Sequence, residues 1–379
     1  MKETKVLFIT NIISPYRIPL WNYLHQVADF DFKVVALAEK EANREWRVAK
    51  EQIKFDYQIL PGFHRFIRSR ELPLHLNRGL WRALRQYKPD IIITSGYDAP
   101  AYWQALLYCK FFKKNYILWN GTTLLSVGTT GGLVGRMKRV IIKGADRYIA
   151  YGTKAAEYLV HMGAPEGHIY VGVNTVDMDW FREQTKKLAQ SKILQEERAA
   201  YPKLLLLYVG QLVKRKGLFQ VLKALGELND PEIGLLIVGS GPQEKELRCF
   251  CQEQELKNVY FEGFHQQDGL PKYYALSDVL LMPSFEEVWG LVVNEALAGG
   301  LYVLCSDRAG AAYDLIEEGW NGALFDPHNV GKLALLIRET KEQLGKIRAR
   351  REAISEHACR EFGIERSAKV FLEAVGSFG

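Results

Sequence analysis

Cysteine is scarce here, with five in 379 residues. Cys249 and Cys251 form a C-x-C inside an expected helix, where residues two apart do not share a face. The pattern indicates neither a disulfide framework nor a zinc site, and sparse thiols suit a reducing cytoplasm. Long hydrophobic runs are also missing, since none reaches the roughly 18 residues of a membrane span. The opening "MKETKVLFITNIISPYRIPL" has no small-residue cleavage site before its prolines. It reads as a first buried strand and not as a signal peptide.

Acidic residues are thin in one region. The chain holds 50 Lys+Arg and 44 Asp+Glu, net +6, yet residues 60–154 hold 16 basic against 4 acidic. Residues 1–180 carry +9 and the remainder −3. Within the basic region, residues 63–88 interleave Arg65, Arg68, Arg70, Arg78, Arg82 and Arg85 with aromatic and leucine residues. A solvated basic face and an anionic membrane surface both fit this pattern, and nucleic acid is not expected as a partner.

What is present is an ordinary globular composition, 48% hydrophobic and 25% charged, at a length that predicts two domains. Short apolar runs alternate with helical stretches. Strands are expected at residues 5–10, 32–38, 90–95, 115–120 and 146–152, then at 203–210, 233–239, 258–263, 278–284 and 302–306. Near-continuous apolar strands separated by helices predict an α/β fold of two doubly wound parallel sheets. The polar stretch 182–203 is the expected linker. Such sheets bind ligands outside the carboxyl ends of their strands, and two in tandem predict a cleft.

The residues following the second-half strands therefore matter most. After the first comes "VGQLVKRKG", where Gly210 permits a close turn and Lys214, Arg215 and Lys216 gather cations before a helix. A diphosphate site and a basic surface loop are both open here, and no Walker motif is present. After the next strand, Gly239 and Gly241 make a tight turn without the dinucleotide fingerprint. Phe264 and His265 follow the third, where a nucleobase could sit, although a lone histidine is more often structural. After the fourth comes "SFEEVWGLVVNEALAGG" (284–300). Glu287 lies in a loop, Gly290 and Leu291 open a helix, and Glu295 stands among apolar residues, costly unless something binds it. Free N–H groups at that helix start suit an anion, and carboxylates suit vicinal hydroxyls. The "DMD" at 177–179 matches a metal-binding expression but lies between the expected domains, so no metal site is read there.

The ordered set "VGQLVKRKG", "VGSGP", "FEGF", "PSFEEVWGLVVNEALAGG" and "LFDP" resembles the family 4 (group 1) retaining glycosyltransferases of the GT-B fold. The resemblance covers nearly the whole second half, is strongest in the E-x7-E segment, and extends back through residues 143–181. It implies two Rossmann-like domains: an acceptor domain at 1–185, a nucleotide-sugar domain at 186–360, and a helix at 361–379 crossing back. It implies that Glu287 holds donor-sugar hydroxyls and Glu295 the ribose diol. Backbone at Gly290 and Leu291 would meet the diphosphate, Lys216 would neutralise it, and Phe264 and His265 would border the base. Gly210, Gln211 and Arg215 complete the donor set. The family usually has arginine at the position of Gln211, and it has a first-domain histidine where this chain reads Asn120. Asp98 is the expected contact to the acceptor hydroxyl, with Asn120 beside it in the catalytic set.

The implied activity is hexosyl transfer from a UDP- or GDP-sugar to a saccharide or lipid-linked acceptor in cell-surface polysaccharide or glycolipid synthesis. The donor is a substrate, no cofactor or divalent metal is needed, and retention of configuration follows from the resemblance alone. The implied location is cytoplasmic, peripheral at the inner face of the membrane. The competing readings are a weakly active nucleotide-sugar-binding partner subunit, or a phosphorylase or epimerase of the same fold. A glycoside hydrolase would not need the Lys216 cluster or the helix-start anion site.

Overall fold

The computed structural model describes residues 4–41, 45–67, 72–128 and 130–378. It divides into two compact units, residues 1–174 with 364–379, and residues 175–363. The division falls at Asn174/Thr175, against the expected 185/186, and the chain returns to the first unit at Ile364, against the expected 361.

In the first unit the strands are β1 (Lys5–Thr10), β2 (Asp31–Ala36), β3 (Asp56–Ile59), β4 (Gly62–Ile67), β5 (Leu72–Asn77), β6 (Ile91–Thr94), β7 (Asn115–Asn120), β8 (Arg147–Ala150) and β9 (Ile169–Val171). Seven pair in the order β3-β2-β1-β6-β7-β8-β9, all parallel, and β4 with β5 forms a separate antiparallel hairpin. Aromatic residues fill the core: Phe8 meets Phe32 at 5.4 Å and Trp21 at 6.2 Å between ring centroids. The C-terminal helix Ile364–Gly376 closes one face, with Phe371 at 4.9 Å from Trp119 and 5.9 Å from Phe8.

The second unit contains β10 (Leu204–Val209), β11 (Ile233–Val238), β12 (Val259–Gly263), β13 (Val279–Met282), β14 (Tyr302–Ser306) and β15 (Gly322–Phe325). They form one parallel sheet in the order β12-β11-β10-β13-β14-β15. The interior strands β10 and β11 are buried almost end to end because helices cover both faces. The helix Leu218–Leu228 shows how: Leu218, Val221, Leu222 and Leu225 recur at helical spacing and pack on the side of β10 that carries Leu204, Leu206 and Tyr208. Left-handed Asn229 ends that helix.

In each sheet the strand order reverses beside the first strand, between β1 and β6 and between β10 and β13. A doubly wound sheet opens its ligand crevice at such a reversal.

The structure refines three readings of the sequence. Residues 182–203 are not a free linker, because the helices Met178–Ala189 and Lys192–Ala199 pack within the second unit, with Phe181 against Tyr274 at 5.9 Å. The basic stretch 63–88 spans several elements. Its described residues belong mainly to the paired strands β4 and β5 and to helix Leu80–Tyr87, which buries Leu80, Ala83 and Leu84 and exposes Arg82 and Arg85. Arg68 and Arg70 lie outside the described residues. Strands β3, β9 and β15 are additional, each only three or four residues long.

Candidate functional site

The carboxyl ends of β12, β11, β10 and β13 stand side by side, and glycine lets their loops touch. Gly239 N–H donates to Gly263 O at 2.7 Å, and Gly210 N–H to Val238 O at 3.0 Å. A Cβ on Gly239 would lie 1.9 Å from the Gly210 carbonyl oxygen, so no other residue fits. Four neighbouring strand ends make a shelf about 14 Å across at ordinary strand spacing.

On β10, Gly210 and Gln211 lead into a single 3-10 turn, Lys214–Lys216. The buried Tyr208 hydroxyl donates to the Gln211 carbonyl at 2.7 Å and fixes that loop from beneath. Gly217 follows in the left-handed region (φ 69°), and a Cβ there would fall 2.0 Å from the Pro283 carbonyl oxygen. From the β13 side, Phe285 N–H donates to Arg215 O at 2.8 Å. The two loops at the reversal are thus locked together through backbone. Across that lock, Lys216 Nζ pairs with Glu287 Oε2, both side chains being mostly buried.

The Glu287 loop is also tied to the loop after β14. Gly310 N–H donates to Glu287 O at 3.2 Å, and Ala311 N–H to Trp289 O at 3.1 Å. Gly290 (φ 103°) caps helix Leu291–Ala298 on the far side of Glu287. Gly290 O accepts from Val293 N–H at 2.9 Å, and the N–H groups of Leu291 and Val292 precede the first bond of the helix. Gly210, Gln211, Arg215, Lys216, Glu287, Gly290 and Leu291 are all partly exposed along this line. Cations, one carboxylate and a helix start therefore converge at one strand-order reversal. Such a set can neutralise an elongated anion while gripping hydroxyls beside it.

Glu295 stands further along helix Leu291–Ala298. It is 1% exposed, and its Oε2 accepts from the Tyr274 hydroxyl at 2.5 Å. Burial pushes the carboxyl up to about 8, while the Tyr274 bond acts the other way. A carboxyl raised in this way keeps its proton more readily, which lowers the cost of placing it among apolar neighbours. At the far end of the shelf, His265 Nε2 lies 2.8 Å from the Tyr273 hydroxyl and 3.2 Å from Glu262 O, while Phe264 is exposed.

Asp98 and Asn120 belong to the first unit, after β6 and at the end of β7. Asn120 is buried and its Nδ2 donates to Thr122 O at 3.1 Å. Desolvation by the surrounding protein holds the Asp98 carboxyl above the ordinary carboxylate range. Asp177 of the D-x-D caps helix Met178–Ala189, accepting from Trp180 N–H at 3.1 Å. Among the described residues no group of three His, Cys, Asp or Glu side chains comes together as a metal site.

Sequence reasoning missed Tyr208, Tyr274 and the Ala309–Ala311 loop. Only the last left a local signal, the run of small residues "AGAA", in which a Cβ on Gly310 would meet the Val288 carbonyl oxygen at 2.2 Å.

Comparison with known proteins bears on family and fold. Residues 189–358 match the sequence model of the glycosyl transferases group 1. The chain is 36% identical over 151 residues to the sulfoquinovosyl transferase SQD2 of Arabidopsis thaliana, covering 38% of this chain and 28% of that one. It is 29% identical over 252 residues to the D-inositol 3-phosphate glycosyltransferase of Paenarthrobacter aurescens, covering 62% and 58%. The chain thus spans between about a quarter and three fifths of these two relatives' lengths. Among solved structures, HepE of Anabaena in complex with UDP superposes with a TM-score of 0.78 at 19% identity, covering 99% of this chain and 100% of that one. WaaG, a glycosyltransferase involved in lipopolysaccharide biosynthesis, gives 0.67 at 16% identity over 96% and 98%. The chain has the GT-B fold, two Rossmann-like domains, and its residues 189–358 match the group 1 glycosyl transferase model.

Proposed function

We propose that the protein is a family 4 retaining glycosyltransferase that moves a hexose-type sugar from a UDP- or GDP-linked donor to a saccharide or lipid-linked acceptor. The observation that carries this reading is the Lys216–Glu287 pair at the β10/β13 reversal, beside a helix start. Without ligand the two charges satisfy each other. A nucleotide-sugar offers a diphosphate to Lys216 and hydroxyls to Glu287, so one ligand replaces both halves of the pair. Transfer breaks the bond between the sugar and the diphosphate oxygen. Lys216, Arg215 and the Gly290–Leu291 backbone would then stabilise the charge growing on that oxygen. No divalent metal is needed for this. Gln211 contributes a neutral amide where the family usually has a cation, leaving the charge to Lys216 and Arg215. The neighbouring fold of HepE is known with UDP, UDP with glucose, and UDP-glucose, which favours uridine for the donor.

Glu295 would hold the ribose diol after local rearrangement around Tyr274. Asp98 and Asn120 are the proposed acceptor-side residues. The acceptor would lie at an anionic membrane surface, on the cytoplasmic side. Helix Gly132–Gly144 supports that location: Leu133, Val134, Met137 and Val140 are 50–75% exposed, beside Arg136, Lys138, Arg139 and Lys143 and no acid. An apolar face flanked by cations suits an anionic bilayer surface. No helix among the described residues is long and apolar enough to cross a membrane.

The direct test is titration with UDP, GDP and their sugars, followed by assay of donor hydrolysis in the wild type and in Glu287→Ala. Binding of a nucleotide-sugar and turnover that the substitution abolishes support the reading. Absence of binding to every nucleotide-sugar tested overturns it.

A further inference from the structure

The first unit holds a fixed cation at its own strand-order reversal. Arg17 follows β1, and its guanidinium lies 4.0 Å from the centroid of the Trp119 ring. Nη1 donates to Thr10 Oγ1 at 3.4 Å, and Nη2 donates to the Tyr151 hydroxyl. Ser95 donates to the same Thr10 oxygen at 2.9 Å. Residues at the carboxyl ends of β1, β6, β7 and β8 therefore assemble around one guanidinium, where a doubly wound sheet opens its ligand crevice.

Every partner of Arg17 is neutral, and among the described residues no carboxylate pairs with it. Other enclosed arginines have their donors filled. Arg198 and Arg348 share Asp278, Arg182 meets Glu352 and Glu356, and Arg351, without a carboxylate, donates to the carbonyls of Gly299, Ser277 and Tyr274. A half-buried cation without a counter-charge is costly to keep, and a neutral side chain would brace the same loop at less cost. The guanidinium has five N–H donors and two are occupied by hydrogen bonds. The remainder are held in place by the Trp119 face, ready for a planar or tetrahedral oxyanion.

We propose that Arg17 is an anion-binding residue of the acceptor site, and that the acceptor carries a phosphate or carboxylate group at this point. This rests on the glycosyl-transfer reading and adds the acceptor's chemical class. Asp98 lies in the same neighbourhood. The phenol of Tyr102, raised chiefly by its burial, is raised further by Asp98 and lowered by Arg17, and its hydroxyl donates to Asn11 Oδ1 at 2.6 Å. A carboxylate suited to the reacting hydroxyl and a cation suited to an anionic substituent thus flank one tyrosine.

The test is isothermal titration of the full chain and of Arg17→Gln and Arg17→Lys with glucose 1-phosphate, glucuronate and neutral glucose, with UDP titrated in parallel. Wild type should bind at least one of the charged sugars and bind glucose more weakly, and the charged sugar that binds identifies phosphate or carboxylate. Arg17→Gln should weaken that binding by about tenfold or more, the effect of one lost charge-assisted contact. Arg17→Lys should retain part of it, and UDP affinity should be unchanged in both. Arg17→Lys also keeps the test open if Arg17→Gln fails to fold. Equal binding of glucose and the charged sugars overturns the proposal. So does anion binding unaffected by loss of the charge, or loss of UDP binding in place of sugar-anion binding. Failure of the wild type to bind UDP or GDP in any form strikes at the glycosyl-transfer reading itself, and with it the acceptor assignment.

Discussion

The two units repeat one strand order around the reversal but furnish it in opposite ways. At β10/β13 the cation Lys216 is neutralised by Glu287 within a lock of backbone contacts. At β1/β6 the cation Arg17 stands among a tryptophan, a tyrosine and a threonine. The first arrangement is self-satisfied, and under the proposed function it exchanges partners when a nucleotide-sugar binds. The second is uncompensated and is completed by an anion. The difference teaches that a shared fold fixes where a ligand sits, and the charge balance of the strand-end residues fixes what kind.

Breaking the second unit's pair should have the largest effect. Lys216→Ala leaves Glu287 without its counter-charge and removes the cation proposed to stabilise the leaving oxygen. Steady-state kinetics should show kcat lower by about 100- to 1,000-fold. Gly217→Ala attacks the lock itself, because its Cβ would collide with the Pro283 carbonyl oxygen. Urea unfolding should show a loss of about 1–3 kcal/mol, with nucleotide binding weakened alongside.

Glu295 sharpens the comparison through pH. Its folded pKa, about 8, lies above the ordinary carboxyl value of 4.5, so between those values the folded chain holds a proton that the unfolded chain has released. Stability from this group is therefore greatest below pH 4.5 and declines as pH rises toward 8. Glu295→Gln should remove that slope and raise the melting temperature at pH 8 relative to wild type, while nucleotide-sugar affinity falls. A melting-temperature series from pH 5 to pH 8.5 with both proteins checks it.

The smallest expected effect concerns the first unit's surface. Met137→Glu should reduce co-sedimentation with vesicles of anionic phospholipid at low salt and leave UDP binding unchanged. Equal sedimentation of both proteins would remove helix Gly132–Gly144 from the membrane reading.

Much of the second unit was legible because its informative residues follow their strands directly. In that unit β14 falls on the expected residues and β10, β11, β12 and β13 lie within theirs, and Glu287 pairs with Lys216 beside Gly290. What remained hidden is long-range. Tyr274 shields Glu295 from 21 positions away, and Tyr151 receives Arg17's bond across 134. No local periodicity carries such pairings. The β4–β5 hairpin was obscured because arginines alternating with apolar residues suit a strand as readily as a surface helix. The additional parallel strands were too short to stand out; β15 is only "GALF".

The most direct measurement is donor turnover with UDP-glucose by the wild type and by Glu287→Ala at matched folding. Release of UDP by the wild type, reduced about 100-fold or more in the variant, is the predicted result. Equal UDP release by both proteins, or UDP-glucose binding that survives unchanged in Glu287→Ala, would contradict the assignment of the β10/β13 reversal as the donor site.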